Sequence, residues 1–261
     1  MNIVFKKNQG AGNDFIIIDN RESIFNPDDS KLIAKLCDRR FGIGADGLIL
    51  ICKKPEFDFE MKYFNSDGFL GSMCGNGGRC SADFAVKAGI AGKKMVFKAY
   101  DGIHKALSED GIIRLQMNDV RVPDMISGNY FINTGSPHYM VFVKNANETD
   151  VFNEGKRLRW SEEFAPGGTN VNFVEVTENG IYVRTFERGV EDETLSCGTG
   201  VTASAIASVL SGHIDSVPVN VKTKGGDLSV SFRISGNDVT DIWLSGPATY
   251  VFEGEIPDTL L

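Results

Sequence analysis

One four-residue pattern, Cys-Gly-x-Gly, occurs twice in this chain. Cys74-Gly75-Asn76-Gly77 returns as Cys197-Gly198-Thr199-Gly200, at an offset of 197 − 74 = 123. Without gaps, the same offset matches Ser81, Ala82, Val86 and Gly89 with Ser204, Ala205, Val209 and Gly212. Upstream it aligns Gly12 with Gly135 and Gly44 with Gly167, and downstream Gly102 with Gly225. A chain with 29 glycines supplies some coincidences, but not matches spread over about 90 residues at one offset. The expected architecture is therefore two similar halves made by duplication.

Hydrophobic periodicity gives each half the same contents. Phe57, Phe59, Met61 and Tyr63 alternate with Asp58, Glu60 and Lys62, the period of a strand, and the region around Ile181 to Glu187 is β-rich as well. Both strands lead through a loop to the cysteine motif. Residues 76–89 and 199–211 then run without proline and are rich in Ala, Ser, Val and Leu, which predicts a helix in each half. Gly89 and Gly212 stand where those helices should stop. Further strands are expected from Ile113, Leu115 and Met117 and from Leu228, Val230, Phe232 and Ile234. Short helices are expected near 30–39 and 147–159, and the crossover between halves near Pro123. The fold class is thus α/β (α+β), with two pseudo-symmetric domains. Residues 1–121 with 248–261 carry Cys74, and residues 122–247 carry Cys197.

Composition narrows the function. At 261 residues the chain can bury a real core. Its net charge of −8 argues against a nucleic-acid or anionic-membrane partner. No stretch approaches the roughly 18 apolar residues of a membrane helix, and the N-terminus has no apolar run after a basic start. A cytoplasmic location is therefore expected. Five cysteines, an odd number with no Cys-x-x-Cys pair, point away from a disulfide framework and from structural zinc. Cys37, Cys52 and Cys80 read as small buried hydrophobes.

Cys74 and Cys197 read differently because each falls at the mouth of a predicted helix. A helix N-terminus presents unpaired N–H groups and the positive end of a dipole. Such a setting lowers a thiol's pKa and favours the thiolate. The flanking glycines let a ligand approach the backbone, and the N–H groups can take a carboxylate. Two such sites facing one cleft would set two sulfurs on opposite faces of one substrate. One thiolate then removes a proton and one thiol returns a proton to the other face, which inverts the carbon.

At these residues the sequence resembles the diaminopimelate epimerase family. The resemblance rests on Met73 to Cys80, on Glu187-Arg188-Gly189-Val190 with Glu193 to Gly200, and on Gly12-Asn13-Asp14-Phe15. It extends to Phe64-Asn65-Ser66-Asp67-Gly68, Gly167 to Phe173 and Gly246-Pro247-Ala248-Thr249, and covers about residues 5 to 254. It implies two domains, each a β-barrel-like sheet wrapped on a central helix, with the C-terminal segment returning to the first. The implied reaction converts LL-2,6-diaminopimelate to the meso form for lysine and peptidoglycan synthesis. No cofactor, pyridoxal phosphate or metal is implied, and the implied protein is a cytoplasmic homodimer. Cys74 and Cys197 match the catalytic cysteines. Gly75, Asn76, Gly198 and Thr199 match positions that hold the reacting α-carboxylate. Asn13, Asn65, Ser136, Asn170, Glu187 and Arg188 match substrate-binding positions, with Arg188 the clamp for the distal carboxylate. His138 and Glu187 match residues that tune the thiols.

Two positions depart from the family's pattern. Gly47 stands where many members have Gln, so no side-chain contact comes from there. Ser136 stands where many members have Asn, and its shorter side chain reaches substrate only through water. Three rival readings stay open at this stage. A proline racemase-like enzyme would use the same two thiols on another amino acid. A thiol hydrolase would pair one cysteine with His138 and leave the second motif unexplained. A binding protein would keep the fold without the chemistry.

Overall fold

The computed structural model describes residues 3–71, 73–122 and 124–257. The chain divides into two compact units, residues 1–115 with 246–261 and residues 116–245. Pro123, where the sequence suggested a crossover, lies outside the described residues.

The first unit contains β1 (Ile3–Gly10), β2 (Asn13–Asp19), α1 (Ser30–Cys37), β3 (Gly47–Cys52), β4 (Phe59–Asn65), α2 (Gly75–Lys87), β5 (Lys94–Ala99), β6 (Gly102–Glu109) and β7 (Ile112–Gln116). The second contains β8 (Val120–Arg121), β9 (Asp124–Ile126), β10 (Asn129–Asn133), β11 (Pro137–Val143), α3 (Val151–Arg159), β12 (Asn170–Thr177), β13 (Gly180–Glu187) and β14 (Asp192–Thr194). It continues with α4 (Gly198–Leu210), β15 (Val219–Thr223), β16 (Gly226–Ser235) and β17 (Asp238–Pro247). The last strand, β18 (Thr249–Ile256), pairs antiparallel with β1, setting Ile3 against Ile256.

The pairing sequence of one unit repeats in the other. β1–β2 is antiparallel, β2–β3 parallel, β3–β4 antiparallel, β4–β5 parallel and β5–β6 antiparallel. β10–β11, β11–β12, β12–β13, β13–β15 and β15–β16 follow the same alternation. Parallel neighbours need a crossover, and a helix supplies each one: α1 and α2 in the first unit, α3 and α4 in the second. Duplication is therefore written in the topology as well as in the glycines.

Each sheet packs a helix against both faces. On one face of the first unit, Ile33 and Leu36 of α1 pack with Ile16, Ile18, Leu48, Leu50 and Phe64. On the other face α2 lies so close that a Cβ at Gly77 would meet Met61, Ile49 and Phe15. Burial on both faces explains why β3 reads Gly-Leu-Ile-Leu-Ile without polar alternation. Glycines inside a helix cost about 1 kcal/mol each against alanine. Here the close approach of the sheet offsets that, since each fully buried Ile or Leu contributes about 1.5–3 kcal/mol. In the second unit α3 meets Val171, Phe173 and Phe186, while α4 is buried from Gly198 to Ser208 except at half-buried Thr199.

Because α2 and α4 are enclosed, several of their hydroxyls find partners within the helix. Ser81, Thr202 and Ser208 each donate to the carbonyl one turn back, at 2.8, 2.9 and 2.7 Å. The strand from Leu228 keeps its alternation through Phe232. Ile234 lies past a bulge between Ser231 and Arg233 and is exposed. No helix among the described residues is long and apolar enough to cross a membrane.

The inner helices end identically. Gly89 (φ 68°) donates to Val86 O, and Ile90 to Ala85 O, while Gly212 (φ 70°) donates to Val209 O, and His213 to Ser208 O. These are Schellman ends, with glycine in the left-handed position. A Cβ at either glycine meets nothing within 4 Å, so any penalty comes from the backbone alone. Gly89→Ala and Gly212→Ala should each lower unfolding free energy by about 1 kcal/mol. Equilibrium denaturation checks this, and an unchanged midpoint in both variants would refute the argument.

Candidate active sites at two helix mouths

Cys74 and Cys197 are the N-cap residues of α2 and α4, with extended backbones at φ −104°, ψ 123° and φ −116°, ψ 109°. Neither cysteine side chain caps its own helix. The first-turn N–H groups thus point out at each sulfur's mouth, where an anion would bind. None of the five cysteines forms a disulfide. Three are held as inert thiols by burial: Cys37 is pushed up to about 12, Cys52 is raised, and fully buried Cys80 is raised further. Among the described residues, no cluster of His, Cys, Asp and Glu could hold a metal ion.

In the first unit the Cys74 thiol donates to Asn13 Oδ1 at 3.5 Å. The Asn13 amide is oriented by Asp46, whose Oδ2 accepts from Asn13 Nδ2 at 2.6 Å. With the NH2 so occupied, only the carbonyl oxygen faces the sulfur. Asp46 is itself held by Arg39 at 2.7 Å, which also pairs with Asp14. Lys7 completes this network through Asp14 and the carbonyl of Gly44. Burial opposes ionisation of Asp14, but Arg39 and Lys7 outweigh it and hold the carboxyl well below its usual range. Asn76 is buried in the first turn of α2, and Asn65 is exposed at the end of β4.

The second unit gathers Cys197, Thr199 and His138 into one hydrogen-bonded set. Cys197 Sγ lies 3.5 Å from Thr199 Oγ1, and His138 Nε2 lies 2.9 Å from the same hydroxyl. Thr185 Oγ1 donates to Asn172 Oδ1 at 2.9 Å, which leaves the Asn172 NH2 to face His138 Nδ1 at 3.2 Å. His138 Nδ1 is therefore the acceptor, and the ring proton sits on Nε2 and goes to Thr199. The Thr199 hydroxyl can then donate to a Cys197 thiolate or accept from its thiol. His138 thus reaches the sulfur through Thr199 rather than directly. Gly200 makes this possible, because a Cβ there would meet Asn172 Oδ1 at 2.4 Å.

Nearby, Asn170 Nδ2 donates to Ser136 Oγ at 2.9 Å, and Asn170 Oδ1 accepts from the Arg188 backbone at 2.8 Å. Arg188 Nη2 also donates to Ser136 Oγ at 3.3 Å. Ser136 therefore links Asn170 to the Arg188 guanidinium within the protein. Glu187 precedes Arg188 at the end of β13. Gly47 has a packing cause: a Cβ there would come within 2.4 Å of the Phe64 carbonyl and 2.5 Å of the Tyr63 ring. Asp46, Asn172 and Thr185 carry no role in the sequence reading. The partners of Asp46 only become visible once β2 and β3 lie side by side.

The site residues correspond at the same offset of 123: Asn13 with Ser136, Gly47 with Asn170, Asn65 with Arg188, and Asn76 with Thr199. Phe15 occupies the place of His138, and Phe15 and His138 pair in register with Gly47 and Asn170. The halves thus share a frame and differ in the polar groups mounted on it.

This fold, with its repeated βαβ units, is shared by a class of two-unit α/β proteins that includes epimerases. The structure aligns with a phenazine biosynthesis protein of the PhzF family from Bacillus anthracis at TM-score 0.74, covering 98% of this chain and 99% of that one at 15% identity. It also aligns with a hydroxyproline epimerase from Agrobacterium vitis at TM-score 0.72, covering 98% and 92% at 12% identity. The chain belongs to the diaminopimelate epimerase family, whose sequence model matches residues 5–122 and 130–251. Diaminopimelate epimerases from Flavobacterium psychrophilum, Chlorobaculum tepidum and Aquifex aeolicus are 50%, 46% and 42% identical to it. These alignments cover 96%, 95% and 98% of this chain and 98%, 98% and 99% of the relatives.

Burial, reinforced by the nearby Arg188 charge, depresses the His138 pKa to about 3. Its unfolded value is about 6.5, so the folded chain refuses a proton that the unfolded chain accepts. The stabilising contribution is complete above the unfolded pKa and drains away as pH falls towards 3. Unfolding free energy should drop by up to about 2 kcal/mol between about pH 6.5 and 5. In His138→Gln that slope should be absent in urea titrations at the two pH values. Separately, Gly47→Gln should destabilise the chain by about 1–3 kcal/mol, with partial relief from Tyr63→Ala. A stable Gly47→Gln variant would contradict the packing explanation.

Proposed function

We propose that this chain interconverts LL- and meso-2,6-diaminopimelate, with Cys74 and Cys197 as its acid and base and with neither pyridoxal phosphate nor metal. One sulfur, as thiolate, takes the α-proton. The electron pair left on carbon spreads into the α-carboxylate. The other sulfur, as thiol, delivers its proton to the opposite face, so the carbon is inverted and the two thiols have exchanged states. The reading requires both sulfurs to reach the same carbon.

The observation that carries it is the recurrence of a helix-capping cysteine with an uncapped first turn in both units. In a chain that matches the family along nearly its whole length, this supplies two thiols and two anion cradles. The N–H groups of Gly75, Asn76, Gly198 and Thr199 would hold the α-carboxylate and stabilise the charge that develops on it. Thr199 suits a residue beside a thiol that must change state, since its hydroxyl both donates and accepts. Asn13, Asn65, Ser136 and Asn170 would orient the substrate. Arg188 would clamp the distal carboxylate, with Ser136 and Asn170 fixing it, and Glu187 with His138 would tune the thiols. The isomerase would serve lysine and peptidoglycan precursor synthesis in the cytoplasm. Assembly as a homodimer is carried over from the family, and sedimentation of the full chain tests it.

Turnover of LL-diaminopimelate in D2O should give the meso isomer with deuterium at the inverted carbon, and proline in a parallel reaction should remain unlabelled. Inversion without label would exclude the two-thiol route. Cys74→Ala and Cys197→Ala should each reduce kcat at least about a hundredfold. A hydrolase would tolerate loss of one thiol, and a binding protein loss of both.

A further inference from the structure

The two helix mouths differ in one buried group that the mechanism above leaves unused. Arg79, in the second turn of α2, is fully buried. Its counterpart at the offset of 123 is Thr202 in α4. Both side chains reach the carbonyl one turn back: Arg79 Nη1 donates to Gly75 O at 3.3 Å and Thr202 Oγ1 to Gly198 O at 2.9 Å. The hydroxyl ends there. The guanidinium goes on to donate from Nη2 to Asn76 Oδ1 at 2.9 Å. Room for it comes from β1, where a Cβ at Gly10 would stand 3.4 Å from Arg79 Nη2.

Packing alone does not account for an arginine here. A cation near a helix N-terminus opposes the helix dipole. Full burial adds a desolvation penalty, and the guanidinium stays charged regardless. None of its hydrogen bonds is to a carboxylate, and Nε has no acceptor among the described residues. Burial lowers its pKa, and the charges that favour its protonated form are the thiolates of Cys80 and Cys74. Cys80 is fully buried with its thiol driven up, so it stays protonated. Cys74 is half-buried at the helix mouth and can make use of the charge.

Two features of the first mouth act on Cys74 in opposite senses: the helix N-terminus favours the thiolate, whereas Asn13 Oδ1 accepts from the thiol and so favours S–H. At the other mouth the Thr199 hydroxyl serves both states, and a neutral imidazole backs it. We propose that Arg79 is the positioning residue of the first thiol site: it locks the Asn76 amide at the carboxylate cradle, and as a buried cation it makes the Cys74 thiolate accessible against the pull of Asn13. Each half would then answer the same requirement differently, one with a fixed charge beneath the helix and the other with a relayed hydrogen bond. This rests on the two-thiol reading, and the test reports on the thiol without turnover, so the two can fail separately.

The experiment is peptide-resolved alkylation of Cys74 and Cys197 by iodoacetamide in the full chain, from about pH 5 to about pH 9, with steady-state kinetics on diaminopimelate. In Arg79→Met the Cys74 profile should move up by about one pH unit, a roughly tenfold slower reaction at a given pH below it. The Cys197 profile should stay in place. Arg79→Lys loses the fork, and a fully buried ammonium gives up its proton more readily than a guanidinium, so its Cys74 profile should move up by no more than that of Arg79→Met while KM rises several-fold. An unmoved Cys74 profile in Arg79→Met, or an equal shift of both thiols, overturns the proposal. Should Arg79→Met fail to fold, Arg79→Lys decides: a raised KM with any upward shift confined to Cys74 supports the assignment, and an unchanged KM or an equal shift of both thiols overturns it. Label-free inversion in D2O would instead strike at the two-thiol reading itself.

Discussion

An α-helix that begins on a cysteine and is left without a cap presents three or four N–H groups to whatever lies at its mouth. In this chain that happens twice, at Cys74 and Cys197, and the rest of each unit is arranged to keep it so. A sheet encloses each helix, so its sides cannot reach water and its first turn becomes its open end. Small residues line both helices because the sheet comes too close for large ones. Ser81, Thr202 and Ser208 bond back into their helices. The glycines, serines and alanines of the repeat therefore record the spacing between helix and sheet as much as any chemistry.

Much of this was legible in the sequence. The offset of 123 survives because the two inner helices have the same neighbours and the same Schellman ends, so Gly89 and Gly212 are held by backbone geometry. The uninterrupted apolar run of β3 reflects a strand with helices on both sides. Other features were silent for physical reasons. Ile234 continues an alternating pattern in sequence, yet a bulge three residues earlier breaks the pairing register. Asn172 and Thr185 look like ordinary strand residues, and only the parallel neighbour β11 brings His138 against them. Gly47 looked like a missing contact, and the Tyr63 ring across the sheet shows that its side-chain space is taken.

The halves also show how duplication can preserve a frame while exchanging its polar fittings. Phe15 and His138 hold the same register position, as do Gly47 and Asn170. The first unit keeps apolar packing there and draws its polar groups from Asn13, Asp46 and the Arg39–Asp14–Lys7 network. The second mounts an imidazole and two amides in the strands themselves.

The pairing of β1 with β18 has a consequence for biosynthesis. Ile3 finds Ile256 only after the second unit has left the ribosome. During elongation the first sheet is left with an unprotected border, a template for strands from other nascent chains. Residues 116–245, by contrast, are contiguous, and the pairings from β10 through β16 all lie within that stretch. Loss of β18 would thus leave the β1 edge of the first unit open, and co-translational chaperones would have most reason to dwell there until β18 arrives.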